Sequence, residues 1–184
     1  MRAALIVVLC ASASSAAADD KAELPTNRAA VDAMVVLPVD SYGDDADLGI
    51  GVFGRYERRM GSKLSLTGRI GPLFHVPNHD NVSLFMAVAF AGMRYNLDPD
   101  QANGTFFSMA LGINYVRLAV ENMGVKASDS EPELTLDIGG GFQARTVQVR
   151  GSIFYTPHVG ASFGGNAVSY LGMALTLGFD FWVR

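Results

Sequence analysis

The sequence predicts an all-β fold, an eight-stranded antiparallel up-and-down transmembrane β-barrel, and three observations lead to it. Eight runs of about 10–14 residues place a large apolar side chain at every second position. A soluble strand averages about 5–6 residues, whereas a tilted strand needs about 9–11 residues to cross a bilayer. Lastly, 49% of the 184 residues are hydrophobic, yet no stretch of about 18 apolar residues could form a transmembrane helix.

The eight runs follow one another along the chain with little else between them. In the last run the alternation is strict from Met173 to Val183, with small or polar residues between the large ones. An even number of strands closes into a barrel with both chain ends on one side, and closure satisfies every backbone N–H and C=O in hydrocarbon. The runs occupy residues 30–39, 47–57, 63–76, 83–95, 105–117, 134–144, 147–156 and 170–184.

The fourth run departs from the simple pattern. Its largest apolar side chains share one parity and are assigned to the outer face: Leu84, Met86, Val88 and Phe90. Because Tyr95 has the opposite parity, a change of face near Gly92 is expected, which would let Tyr95 point outward as well. Aromatic residues should then form two belts at the bilayer edges. Tyr56, Tyr95, Phe107, Phe142 and Phe181 would lie at one edge, and Phe74, Tyr115 and Tyr155 at the other.

The second face of the runs is small or polar, and in a membrane barrel this face is internal because lipid lies outside. Taking residues 58–62 as a hairpin turn sets Glu57 roughly opposite Lys63. Such charges should be mutually paired, and eight strands leave an interior just wide enough for side chains to fill. A plugged core is therefore predicted, with a narrow ion path as the alternative. The other internal charges are Arg55, Arg69, Asp137, Arg150 and Asp180.

The connections predict which end faces the cell exterior. Those after even-numbered runs, residues 58–62, 96–104 and 145–146, are read as periplasmic turns, and the others as outer loops. Two outer loops, within 40–47 and 118–133, are acidic. A solvated surface is the favoured interpretation and a weak Ca²⁺ or Mg²⁺ site the alternative. The acidic residues are Asp40, Asp44, Asp45 and Asp47, then Glu121, Asp129, Glu131 and Glu133, with Lys126 as the basic neighbour.

Residues 1–18 read as an export signal. Arg2 supplies a positive charge, a short apolar core follows, and small residues precede a cut near Ala18. Residues 19–27 would then form a short periplasmic segment and residues 28–184 the outer-membrane barrel. Cys10 leaves open a lipid-modified cysteine. With the ordinary cut, the mature chain has no cysteine and no disulfide.

With these patterns, residues 28–184 resemble the small eight-stranded outer-membrane barrels of Gram-negative bacteria, the OmpA/OmpX-like group. The segment "TLGFDFWV" (176–183) is similar to the C-terminal signal read by the barrel assembly machinery, although family members usually end on Phe or Trp and this chain continues to Arg184. The resemblance implies a location in the outer membrane. It also implies contact with outer-membrane lipids and lipopolysaccharide, assembly through the last strand, and a monomer.

Short motifs that could indicate nucleotide binding or catalysis are each better explained by the predicted barrel structure. "GIGVFG" (49–54) spells a dinucleotide fingerprint but lies inside an alternating strand, and "GGG" (139–141) lacks a following Gly-Lys-Ser/Thr. His75, His79 and His158 would lie at the outer rim, where some outer-membrane barrels modify lipid A. That chemistry needs a serine or carboxylate partner. No catalytic, cofactor-binding or metal-binding residue is assigned, and the net charge of −4 argues against nucleic acid.

The function predicted from sequence is therefore that of a non-enzymatic integral outer-membrane protein with acidic outer loops, serving envelope integrity, adhesion or surface interaction. The first alternative is a soluble, secreted, lipocalin-like barrel that binds an apolar ligand. In that barrel Leu64, Leu66, Ile70 and Phe74 would line the cavity and the charged face would be the surface. The remaining alternatives are a narrow pore and a lipid A-modifying enzyme.

Overall fold

The protein is a closed antiparallel barrel of eight strands in which each strand pairs with its neighbours in the chain and β1 pairs with β8. The strands are β1 Asn27–Pro38, β2 Ala46–Arg59, β3 Leu64–Pro77, β4 Val82–Asn96, β5 Asn103–Asn122, β6 Val125–Ala144, β7 Val147–Val159 and β8 Val168–Val183. The computed structural model describes residues 26–39, 46–77, 82–98, 103–122, 125–159 and 168–183.

The predicted fold class is confirmed, and so is the number of strands. The pairing of β1 with β8 runs without interruption from Asn27↔Val183 to Pro38↔Gly172. We call the end of the barrel that holds Asn27 and Val183 the turn end, and the opposite end the loop end. The described residues contain no helix long and apolar enough to cross a membrane.

Large apolar side chains cover the outside of the barrel. Those on its surface are between 38% (Tyr155) and 68% (Ile70) exposed. This confirms the outward assignment for strands β1–β3 and β5–β8. It also contradicts the lipocalin-like alternative, because Leu64, Leu66 and Phe74 lie on the outer surface together with Ile70 and do not line a cavity.

For β4 the outward assignment of four residues and the change of face are wrong, whereas the predicted outward position of Tyr95 is confirmed. Leu84, Met86, Val88 and Phe90 point into the barrel and are almost fully buried, whereas Met93 and Tyr95 point outward. No change of face occurs at Gly92, because β4 pairs with β5 in one continuous register from Val82 to Asn96, and an unbroken ladder keeps alternate residues on one side. The outward positions of this stretch begin with Phe85, whose ring centroid lies 5.0 Å from that of Phe74, and continue with three alanines: Ala87, Ala89 and Ala91.

The buried side chains of β4 belong to an apolar layer in the loop-end half of the interior. Phe90 and Tyr170 both pack edge-on against Phe154, with ring centroids 5.7 and 5.6 Å apart. This layer was not predicted, since a polar interior was expected throughout. Its members are Met34, Val36, Phe53, Leu73, Leu84, Met86, Val88, Phe90, Ala110, Val116, Phe154, Tyr170 and Ala174.

The acidic connection predicted at residues 118–133 is mostly strand. The β5–β6 ladder continues to Asn122↔Val125, whereas the pairing of β6 with β7 ends at Leu136↔Tyr155. The two strands therefore extend as a hairpin past the point where β7 leaves β6. This segment lacks the apolar alternation that identified the other strands, so the sequence pattern alone could not predict it as strand.

Gly92 marks a place where neighbouring backbones approach closely. A Cβ atom on Gly92 would overlap the Met109 carbonyl oxygen and the Ala110 backbone on β5, whereas one on Gly151 would meet no atom within 4 Å. We expect Gly92→Ala to lower the free energy of unfolding by about 1–3 kcal/mol, the usual cost of overpacking. Gly151→Ala, the matched control, should leave it unchanged. Urea unfolding of the protein in lipid vesicles measures both, and equal stabilities would contradict this account.

Candidate functional site in the barrel interior

Among the described residues, the buried charges lie in the turn-end half of the interior. Nine charged side chains are at most 8% exposed there, five of them arginines and four of them carboxylates. Because burial of an unpaired charge is costly, such groups have to be arranged against one another. The nine are Arg28, Asp32, Arg55, Glu57, Arg69, Arg94, Asp137, Arg150 and Asp180.

Arg55 on β2 is the centre of the first of two groups. Its Nε lies 3.0 Å from Asp32 Oδ2, its Nη1 lies 3.3 Å from Glu57 Oε2, and its Nη2 lies 2.6 Å from Asp180 Oδ1. Arg28 Nη1 also reaches Asp180 Oδ2, at 3.5 Å. One guanidinium therefore bridges carboxylates from β1, β2 and β8, a use that suits its planar set of five N–H donors.

Arg94 on β4 completes this first group. Its Nη1 donates to Glu57 Oε2 at 3.1 Å and to Gln148 Oε1 at 2.8 Å, and its guanidinium carbon lies 3.8 Å from the centroid of the Phe106 ring. Gln143 accepts from Arg94 Nη1 at 3.0 Å and donates to a carboxylate of the same group. We call Arg28, Asp32, Arg55, Glu57, Arg94 and Asp180 the six-charge cluster. Its three positive and three negative charges balance.

A second group lies closer to the apolar layer. Asp137 on β6 is bound by Arg69 Nη2, 3.1 Å from its Oδ1, and by both terminal nitrogens of Arg150. Ser152 Oγ donates to Asp137 Oδ2 at 3.2 Å, and Arg150 Nε donates to Ser108 Oγ at 2.7 Å. We call Arg69, Asp137 and Arg150 the triad. It carries one more positive than negative charge.

All but one of the charged residues that were predicted to point into the barrel do so in the structure. Arg55, Glu57, Arg69, Asp137, Arg150 and Asp180 are buried inside, as predicted. Lys63 is not: it lies in the turn after β2, exposed, with its Nζ 5.9 Å from the centroid of the Tyr95 ring. The predicted facing of Glu57 and Lys63 is wrong because β2 continues to Arg59, so that Glu57 pairs with Thr67.

Three members of the six-charge cluster were missed. Arg94 directly precedes Tyr95, which was assigned outward, so it had inward parity but was not counted among the internal charges, and Arg28 lies ahead of the first predicted run. Asp32 was recoverable, because it falls between Val31 and Ala33, two residues assigned outward, and so has inward parity.

A small cavity of about 20 Å³ is lined by side chains of both the six-charge cluster and the triad. A water molecule needs roughly 10–15 Å³ of such space, so one or two atoms of that size fit. Arginines from both groups line it, together with the polar side chains of Thr67, Ser108 and Gln148.

The histidines do not form a site within the described residues. His75 is buried in the loop-end half, with its Nε2 2.7 Å from Tyr170 Oη. His79 lies outside the described residues, and nothing is described of the His158 side chain beyond its place at the end of β7.

The acidic residues of the predicted outer loops lie largely outside the described side chains as well. Glu133 is described, half-buried on β6. Where side chains are described, no three His, Cys, Asp or Glu residues come together in a way that could hold a metal ion.

Comparison with known proteins identifies the fold. No protein family model and no curated sequence matches the chain. The N-terminal barrel domain of Pseudomonas aeruginosa OprF superposes with a TM-score of 0.59 at 12% identity, over 85% of this chain and 98% of that one. Ail of Yersinia pestis gives 0.57 at 13%, over 86% and 100%. Neisserial surface protein A gives 0.53 at 13%, over 85% and 97%.

The fold is that of the small eight-stranded outer-membrane barrels. At such low identity the similarity speaks for the fold alone, so the interior of this barrel has to be read from its own residues. Those residues form two hydrogen-bonded groups that together include side chains from all eight strands: Arg28 (β1), Arg55 (β2), Arg69 (β3), Arg94 (β4), Ser108 (β5), Asp137 (β6), Arg150 (β7) and Asp180 (β8).

We expect Arg55→Gln to lower the free energy of unfolding by about 3–5 kcal/mol, because it leaves Asp32 and Asp180 buried with less compensation. Arg58→Gln is the control, since Arg58 lies on the same strand and is exposed, and it should shift stability by at most about 0.5 kcal/mol. Urea titration in lipid vesicles, followed by the fluorescence of the single tryptophan, measures both. A loss as small as the control's would show that the cluster contributes little.

Proposed function

We propose that the protein is a non-enzymatic integral outer-membrane β-barrel with a plugged interior and an acidic outer surface that serves envelope integrity, adhesion or surface interaction. One observation carries the proposal. Nine charged side chains are buried inside the barrel and large apolar side chains cover its outside, which is the reverse of the distribution in a soluble protein. In water such a surface would be a severe aggregation liability, whereas in lipid it is the required one.

The outward aromatic side chains indicate where along the strands the two membrane interfaces would lie. Tyr95 and Phe107 are paired neighbours near the turn end, and Tyr56 and Phe181 both flank Ala29 there. Near the loop end Phe74, Tyr115 and Tyr155 are outward and between 38% and 55% exposed. Two belts at opposite ends of the strands suit rings that sit at the two interfaces.

The orientation in the membrane follows from the connections. At the turn end β6 and β7 are joined by Arg145 and Thr146 alone, with Arg145 in the left-handed backbone region at φ 54°. Outer-membrane barrels have short periplasmic turns and longer outer loops, so the turn end is periplasmic in this proposal. The extended β5–β6 hairpin then lies outside the cell and is the contact surface we favour.

The interior supports a plug rather than a pore. The six-charge cluster, the triad and the apolar layer follow one another along the barrel axis, and Phe53, Phe154 and Tyr170 in that layer are at most 1% exposed. Eight strands give an interior about wide enough for side chains to fill, with no room left for a water column.

The surface partner differs in chemistry from one solved for a structural neighbour. Ail has been solved in complex with the heparin analogue sucrose octasulfate, a polyanion. The acidic outer segments of this chain would repel a polyanion, so we favour neutral or cationic partners on cells or in the envelope. Export through residues 1–18, assembly through β8, a monomeric state and contact with lipopolysaccharide belong to the same proposal.

The first experiment compares unboiled and boiled samples of isolated outer membranes on SDS gels, after expression of the full chain in a Gram-negative host. We expect the protein in the outer-membrane fraction, with a mobility that changes on heating, because a closed barrel of paired strands resists SDS until it is heated. Recovery from the soluble periplasmic fraction without a heat-dependent shift would contradict the proposal.

A substitution on the outer face tests the lipid assignment directly. Leu111 lies near the middle of β5 and is 64% exposed. We expect Leu111→Arg to lower the free energy of unfolding in lipid vesicles by about 2–4 kcal/mol, the cost of arginine at the bilayer midplane. Leu111→Ile, the apolar control, should cost far less. If Leu111→Arg were harmless, this face would be in contact with water.

A further inference from the structure

We propose that the cavity lined by the six-charge cluster and the triad is a binding site for a small monovalent inorganic anion, with chloride the natural occupant. The proposal goes beyond the surface role of the protein and does not depend on which partner the loop end binds. It rests on the balance of buried charge, the composition of the cavity and its size.

The six-charge cluster and the triad together carry one more positive than negative charge. The six-charge cluster is neutral, whereas Asp137 in the triad is shared by the two guanidinium groups of Arg69 and Arg150. Arginine stays protonated in proteins, so the surplus cannot be removed by loss of a proton. A buried surplus charge is unfavourable unless an opposite charge lies nearby.

The cavity is where that opposite charge would be most effective. Both arginines of the triad line it, and so do Arg55 and Arg94 from the six-charge cluster. Among the described residues that line the cavity, Glu57 is the one carboxylate, and it is already bound by Arg55 and Arg94. The potential in the cavity is therefore positive.

The neutral groups around the cavity suit an anion as well. Ser108 Oγ accepts a hydrogen bond from Arg150 Nε, which leaves the hydroxyl proton of Ser108 available to donate. Thr67 contributes a second hydroxyl to the lining. A guanidinium pair with hydroxyl donors is a set of donors that an acceptor-only ion can satisfy, and charge-assisted bonds of this kind are the stronger ones.

Size decides between classes of anion. A cavity of about 20 Å³ takes an occupant of about the size of water. Chloride and bromide are of that order, whereas carboxylates of sugars and phosphate esters are much larger. Water itself fits, but it is neutral and would leave the surplus charge uncompensated.

The test is urea unfolding of the full-length barrel in neutral lipid vesicles at constant ionic strength, with sodium gluconate replaced stepwise by sodium chloride. An ion that binds the folded state raises the folded-to-unfolded ratio by the factor 1 + [L]/Kd. We expect that ratio to rise up to about tenfold between about 30 and 300 mM chloride. An unchanged midpoint would overturn the proposal and leave water as the occupant.

Variants separate the cavity from general salt effects. Arg69→Gln makes the triad neutral and should abolish the chloride dependence, whereas Arg58→Gln, which removes an exposed arginine, should retain it. If both variants keep the full dependence, chloride acts elsewhere and the proposal is wrong. Should Arg69→Gln fail to fold, Ser108→Ala serves in its place, because it removes one donor without changing charge and should weaken the chloride dependence.

A direct measurement completes the design. Crystals grown in about 300 mM sodium bromide, a concentration in the range used for chloride above, should show one anomalous scattering peak inside the barrel, in contact with Arg69 and Arg150. Crystals of Arg69→Gln should lack it. A wild-type barrel without the peak would contradict the proposal, whatever the unfolding curves show.

Discussion

Closure of the sheet is the constraint on which the rest of this structure depends. In hydrocarbon no water is available for the backbone, so a strand at an open edge would leave a whole row of N–H and C=O groups unsatisfied. The ladder between β1 and β8 removes that edge over its full length, from Asn27 to Pro38. Once the sheet is closed, alternate side chains have two destinations only, lipid or interior, and the interior becomes small.

The small interior of an eight-stranded barrel can be filled either by charged side chains or by bulky apolar ones. This barrel uses charged side chains in one half of its length and apolar side chains in the other. Toward the loop end the space is filled by rings and branched chains packed edge to face around Phe154. Toward the turn end it is filled by guanidinium groups and carboxylates, whose planar donors and acceptors satisfy one another. Both kinds of filling occupy the space between the strands, but only the charged one requires that every member be present.

The charged and apolar halves of the interior also show how much of the structure could be predicted from the sequence alone. Period-2 alternation predicted the strands and the lipid face, because one side of each strand must be apolar wherever lipid touches it. It failed for β4, whose inward Leu84, Met86 and Phe90 serve the apolar layer while small alanines face outward. The alternation of residues within one strand does not show whether its apolar face points into the barrel or toward lipid. The register of the neighbouring strands is needed to decide. The same ladder information showed that residues 118–133 are mostly strand.

The buried charges have a consequence for the register of the whole sheet. A slip of one residue in any strand that carries a buried charge would move that charge from the interior to lipid, where charge is most expensive, and would move an apolar residue into the interior. Since Arg55, Arg94 and Asp137 each bind partners on at least two strands, one slip would leave several groups unpaired together. Buried ion pairs are often weak contributors to stability when compared with apolar packing. In this barrel their larger effect is to make alternative registers unfavourable, because the two groups together draw side chains from all eight strands.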